Sequence, residues 1–163
     1  MILKQYNKRA LNSKLKIGSG LVNILLNKKL QDVTVCELEK ETHISRSTFY
    51  RNFNNVYDVL NLMMEYYYCL YKTNNINQKD KVEYFFKYWE DKKDLLYVIS
   101  LDNQEILENI IIKYDNVSRH DAKIKCLLFF TIIKFWHDAY PNHNYYKMFE
   151  NTKYIFSNFK QYI

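Results

Sequence analysis

The residues with most to offer a partner lie in one short run, Ser45-Arg46-Ser47-Thr48-Phe49-Tyr50-Arg51-Asn52-Phe53. On a helix, Phe49 and Phe53 are four apart and share an inward face. Arg46, Ser47, Tyr50 and Arg51 fall largely elsewhere, with Thr48 at the flank. Exposed guanidinium and hydroxyl groups on a helix can reach the base edges and phosphate oxygens of a nucleic acid. Periodicity alone also permits an ordinary solvated surface helix.

Other chemistries find little support. Cys36, Cys69 and Cys126 are odd in number and far apart, with no C-x-x-C pair. That argues against a disulfide scaffold or zinc ribbon and suits a reducing compartment. His137, Asp138 and His143 are close in sequence, as are His120 and Asp121, but none gives the i, i+4 pair of histidines of a helical zinc site. Gly18 and Gly20 are the only glycines, so neither a dinucleotide-binding fingerprint nor a phosphate-cradling loop can be written. No nucleophile has a base and an orienting acid in recognisable context. The expectation is a binding protein, not an enzyme, with no metal and no cofactor.

The elements that must position the Arg46 helix are legible around it. Thr34-Val35-Cys36-Glu37 reads as a capping box opening a short helix over Val35 to about Glu41. Thr42-His43-Ile44 is a tight connection, and Ser45 is a natural N-cap for a helix to about Phe53. That is the spacing of a helix-turn-helix. Before it, Ile17, Leu21, Ile24 and Leu25 form a helical stripe over 14–28, on which Gly20 would let another helix approach closely. After it, Asn55 can cap a fourth helix running to about Lys72, and 73–80 is a polar, Asn-rich joint. Further helices are expected at about 81–90 and 93–99, from a cap at Asp102 to about Tyr114, from a cap at Ser118 to about Ala139, and over 145–162.

Composition agrees. With 2 Gly and 1 Pro in 163 residues, the turn-rich sandwiches and barrels are excluded. The fold class is all-α. The expected organisation is an N-terminal three-helix helix-turn-helix module over residues 1–60, followed by a C-terminal helical dimerisation and ligand-binding domain over 61–163. Charge divides at nearly the same place. Residues 1–56 hold ten Lys/Arg and four Asp/Glu, a balance of +6, whereas 57–163 hold fourteen of each. A basic module joined to a neutral one suggests a polyanion at the N-terminal end, although a solvated basic face would look the same. No signal-peptide core and no run approaching the roughly 20 apolar residues of a membrane span occur, so a cytoplasmic protein is expected.

Residues 14–60 resemble the DNA-binding module of the TetR family of bacterial regulators, closest to its short-chain branch of dihydroxyacetone kinase operon regulators. The matching stretches are Val33-Thr34-Val35, Ile44-Ser45-Arg46-Ser47-Thr48-Phe49-Tyr50-Arg51-Asn52-Phe53, and Tyr57-Asp58-Val59-Leu60. The resemblance implies a homodimer that reads a double-stranded DNA operator, usually as a repressor. It places Thr34 on phosphate and Ser45, Arg46, Ser47 and Thr48 at the reading end of the third helix. Tyr50 would touch phosphate or a thymine methyl, Arg51 and Asn52 the backbone, and Asn55 would offer its amide at the next helix. There are departures. His43 stands where the family has Gly, Val56 where a phosphate-contacting Lys is common, and Glu39 where a small Ala is customary. Lys4, Lys8, Arg9, Lys14 and Lys16 could supply the missing cation.

The C-terminal half resembles the family only in its helical pattern and in the run 129–136, which is apolar on nearly all sides. Such a helix has to be buried in its own domain and across an interface at once. Phe129, Ile133, Trp136 and Phe156 are the expected dimer contacts, in a seam with the last helix. Met63, Met64, Tyr67, Tyr88 and Trp89 are candidates for an apolar or aromatic effector pocket, although such stripes also read as plain core. Two functions compete: a repressor released by a small ligand, and a DNA-binding adaptor or activator whose C-terminal half binds a protein. A large empty cavity would favour the first, and a filled core with an exposed apolar patch the second.

Overall fold

The computed structural model describes residues 8–157, without the side chains of Lys8, Ile155 and Phe156; the expected dimer contact Phe156 lies outside what is described. The described residues contain helices and turns and no strand, so the chain is all-α. Helix α1 spans Lys8–Leu25, α2 Val35–Thr42, α3 Arg46–Asn52 and α4 Val56–Asn75. Beyond a short connection follow α5 (Lys81–Trp89), α6 (Lys93–Asp102), α7 (Gln104–Asp115), α8 (Arg119–Ala139) and α9 (Tyr145–Ser157). No helix is long and apolar enough to cross a membrane, among the described residues.

Local signals explain most boundaries. The capping box at Thr34 is complete: its hydroxyl accepts from the Glu37 N–H, and its own N–H donates to Glu37 Oε2 at 2.8 Å. Ser45, Asn55 and Ser118 accept from the backbone N–H three residues on and open α3, α4 and α8. Asp102 does not cap. The α6 helix, with Leu95, Leu96, Val98 and Ile99 buried, runs on through Asp102, and Asn103 precedes α7 with no side-chain cap.

In the head, α1 packs against both α2 and α4. Ile17, Leu21 and Leu25 of α1 meet a core that includes Leu38, Phe49, Phe53, Val59 and Leu60, all nearly or fully buried. Both glycines serve close approach: a Cβ on Gly20 would lie 2.3 Å from Thr42 Cγ2, and one on Gly18 would lie 2.2 Å from Met63 Sδ. In the rest of the chain α8 packs on α6 and α7, and α9 on α5, around Phe86, Trp89, Ile99, Ile111 and Trp136. A division at 60/61 falls inside the continuous α4, and one cluster of buried side chains runs from Ile17 to Phe149. Helix α4 therefore belongs to both halves.

Candidate nucleic-acid interface

The tight turn between α2 and α3 is made by His43, at φ 54° and ψ 32°. This left-handed conformation favours Gly, but His is among the side chains that enter it more often than most. Helix α3 is then fixed from beneath. Phe49 and Phe53 are buried with ring centroids 5.8 Å apart, and Tyr50 packs edge-on against Phe49 at 5.3 Å. Lys14 of α1, buried and lowered in pKa by desolvation, donates to the Asn52 carbonyl at 2.9 Å and sits over the Phe53 ring. It braces α3 and is not placed as a free cation for phosphate.

The opposite face is open. Arg46, Ser47, Tyr50 and Arg51 are exposed, Tyr50 by 60%, which for a large aromatic ring leaves most of its surface to a partner. Ser45 shares hydrogen bonds with the Ser47 and Thr48 hydroxyls, at 3.0 and 3.1 Å, so three hydroxyls cluster at the start of α3. Arg46 Nε lies 3.4 Å from Glu39 Oε2 on α2, and the Cys36 thiol, then Glu39, favour the guanidinium's charge. The side chain is thus held towards α2 while still open to water.

Not every expected contact residue is free. The Thr34 hydroxyl donates to Glu37 Oε2 at 2.9 Å besides accepting from the Glu37 N–H. Glu37 in turn accepts from Lys28 at 2.6 Å; Lys28 first, then the Thr34 N–H and hydroxyl, hold its carboxyl down to about 2. Asn52 is half-buried and donates its amide to the Thr48 carbonyl at 2.7 Å. Asn55 accepts from the Asp58 N–H at 2.9 Å through Oδ1, which leaves its amide N–H groups for a partner. Arg9, Lys16, Lys29, Lys40 and Arg51 are exposed and form no ion pair among the described residues. With Glu37 on Lys28 and Glu39 on Arg46, the head's positive charge faces water largely uncompensated.

The expected effector pocket is filled. Met63, Met64 and Trp89 are core residues exposed by at most 3%, because α1, α5 and α7 pack against α4. Tyr67 and Tyr88 are half-buried, and the Tyr88 hydroxyl donates to the Tyr67 carbonyl at 2.7 Å. The cavities at the α1–α6 junction, beside Tyr57, beside Asp115 and beside Cys126 are lined by none of the five.

The dimer contacts need a matching correction. Ile133 and Trp136 are fully buried within their own chain, and Phe129 is half-buried, stacked on Phe85 at 4.9 Å. The exposed apolar stripe of α8 is instead Ile124, Leu127, Leu128 and Phe135, with Leu127 two-thirds exposed. A run apolar on all sides gives no phase, so its outward face could not be read from the sequence. Beside it, Asp115 joins Lys72 and Lys125, each at 2.7 Å, and accepts from Tyr68 at 3.0 Å. Burial pushes the Asp115 carboxyl up, but the bonds from Lys125, Lys72 and Tyr68 outweigh it and hold it below the usual carboxylate range. No sequence signal marked this cluster, whose members lie on three helices.

Compared with known proteins, the chain matches no family model and no curated protein.

Proposed function

We propose that the chain is a sequence-specific regulator of transcription that binds double-stranded DNA in the manner of the TetR family. It would act in the cytoplasm as a homodimer, its first 60 residues forming the reading head. The carrying observation is α3 itself: a short helix anchored by Phe49, Phe53 and Lys14, with Arg46, Ser47, Tyr50 and Arg51 exposed, in the part of the chain that holds all the net positive charge. On this reading Arg46 and Ser47 meet base edges, and Tyr50, Arg51 and the Asn55 amide meet the phosphate backbone.

A second reading, the adaptor or activator that binds a protein, has its own support. The space among Met63, Met64 and Trp89 is filled, and the Ile124-Leu127-Leu128-Phe135 stripe is open. A second copy of the chain would cover that stripe equally well, as the homodimer requires. Sedimentation decides between them: a stable dimer supports the first, a monomer at micromolar concentration the second.

DNA reading is tested by selecting a duplex from a random pool and comparing it with a scrambled one at two salt concentrations. Arg46→Ala is expected to lose roughly five- to 150-fold on the selected duplex and much less on the scrambled one. Tyr50→Phe should weaken both alike. Equal losses on both duplexes for Arg46→Ala would refute its reading role, and failure to select any duplex would remove the assignment.

A further inference from the structure

Helix α3 has seven residues, about 10 Å of helix, too short to hold its shape in water without help from its neighbours. Ser45 secures the first turn by accepting from the Thr48 N–H. The other end is harder to satisfy, because the last four carbonyls of a helix have no partner within it. Here the Phe49 carbonyl takes the Phe53 N–H at 2.9 Å. The Asn52 carbonyl, the last of the helix, takes the Lys14 ammonium, also at 2.9 Å.

Lys14 reaches this carbonyl from α1 and is only 7% exposed. A lysine is rarely buried so far unless its charge is matched. The match is the C-terminal end of α3, where the helix dipole places partial negative charge, and the face of the Phe53 ring, 4.5 Å from Nζ. Lys16, two residues on, is exposed, as a cation meant for a polyanion would be. Phe49 and Phe53 decide which side of α3 faces inward, but apolar burial has no direction and tolerates a helix that slides or tilts on its core. The Lys14 bond is directional and grips one end.

Side chains such as Arg46 and Ser47 can read bases only if held within roughly 0.5 Å and 10–20° of the productive geometry. Attraction to phosphate, which acts over about 8 Å at physiological salt, is far more forgiving. We propose that Lys14 is a positioning residue: through the Asn52 carbonyl it sets the pose of α3, and with it the preference for one DNA sequence over another, without itself touching phosphate. The effect on preference rests on the DNA-reading function; the grip on α3 does not.

The test adds Lys14→Met, whose unbranched stem still covers Phe53 but donates nothing, to the assay on selected and scrambled duplexes. A loss of about tenfold is expected on the selected duplex and of less than about twofold on the scrambled one, with the salt slope kept. Lys16→Met, which removes an exposed charge from the same helix, should leave the ratio of the two affinities where it was. Since Lys14 acts through α3, Lys14→Met combined with Arg46→Ala should lose little more than Arg46→Ala alone. Equal losses on both duplexes, a salt slope lower by about 1, an equal fall of the ratio in Lys16→Met, or additive losses in the double variant each overturn the proposal. In the unsubstituted ¹⁵N-labelled chain, the Lys14 ammonium signal should stay in place when the selected duplex is added. A shift there overturns the proposal without any variant having to fold. A chain that selects no duplex overturns the DNA reading. The grip is still decided in the free chain, where Lys14→Met should move the amide signals of Arg51, Asn52 and Phe53 while thermal melts show it folded; unmoved signals overturn it.

Discussion

Replacing Gly20 by Ala should destabilise the head, although Ala is the better helix former. On α1 the new Cβ would stand 2.3 Å from Thr42 Cγ2 and 3.2 Å from Glu41 Cγ. Comfortable carbon contacts lie near 3.5–4.0 Å. Thr42 cannot easily step aside. It is β-branched and so stiff at χ1, it is 4% exposed, and its hydroxyl donates to the Leu38 carbonyl at 2.6 Å. Relief requires either that α2 retreat from α1 or that Thr42 change rotamer and lose that bond. Overpacking of this kind costs about 1–3 kcal/mol, against a gain of about 1 kcal/mol in helix propensity. The net loss is up to about 2 kcal/mol, which in a chain of this size lowers Tm by up to about 8 °C.

Gly18→Ala is the internal control. Its Cβ would meet Met63 Sδ at 2.2 Å and Cγ at 2.3 Å, but Met63 is unbranched and can swing. Its Tm should stay within about 4 °C of the parent. Thr42→Ser removes the offending Cγ2 while keeping the hydroxyl, so Gly20→Ala with Thr42→Ser should recover most of the loss. Differential scanning calorimetry on the four proteins measures all of this. A Gly20→Ala chain that melts above the parent, or one that Thr42→Ser fails to restore, would show that the α1–α2 approach is not what Gly20 provides.

Asp115→Ala should cost about 1–3 kcal/mol by urea titration, since it leaves the Tyr68 hydroxyl without its acceptor and two lysines facing each other; Asp115→Asn should cost less. The Glu37 carboxyl is depressed on folding, so its contribution is complete above its ordinary value of 4.5 and is lost as pH falls through about 2. Glu37→Gln should therefore show a flatter decline of stability across that acid window, and an unchanged decline would refute the assignment. Leu127→Lys places charge on the most exposed residue of the α8 stripe and should yield a folded monomer by sedimentation, where Lys123→Glu does not. Glu39→Gln releases Arg46 and should raise affinity for the scrambled duplex more than for the selected one, lowering the ratio of the two in filter binding.

How far the sequence carried these conclusions depended on how local each determinant was. Thr34, Ser45, Asn55 and Ser118 cap their helices through atoms three residues away, so their positions were legible from spacing alone. So was the inward pairing of Phe49 with Phe53, and the use of Gly20 for close approach. The pattern at Asp102 misled because a D-x-x-E spacing is also met by a helix that continues past it. The phase of α8 was hidden by apolar residues on every side, and only packing against α6 and α7 selects Ile133 and Trp136 as the inner face. The Asp115 cluster and the Glu39–Arg46 pair both depend on chain segments brought together by folding. No periodicity encodes them.

The Glu39–Arg46 pair also bears on how a small basic head could distinguish one sequence from another. Five exposed cations of the head carry no ion-pair partner among the described residues, and such charges attract any polyanion regardless of sequence. Arg46 differs, because a carboxylate at 3.4 Å and a thiol on α2 already satisfy part of its guanidinium. A single phosphate oxygen offers such a group little that Glu39 does not. A guanine edge offers two acceptors in the plane of the guanidinium, whose terminal N–H groups the contact through Nε leaves free to donate. On the proposed DNA-reading function, holding Arg46 on α2 would lower its response to backbone charge more than its response to the right base, and the acidic Glu39 would become a source of selectivity.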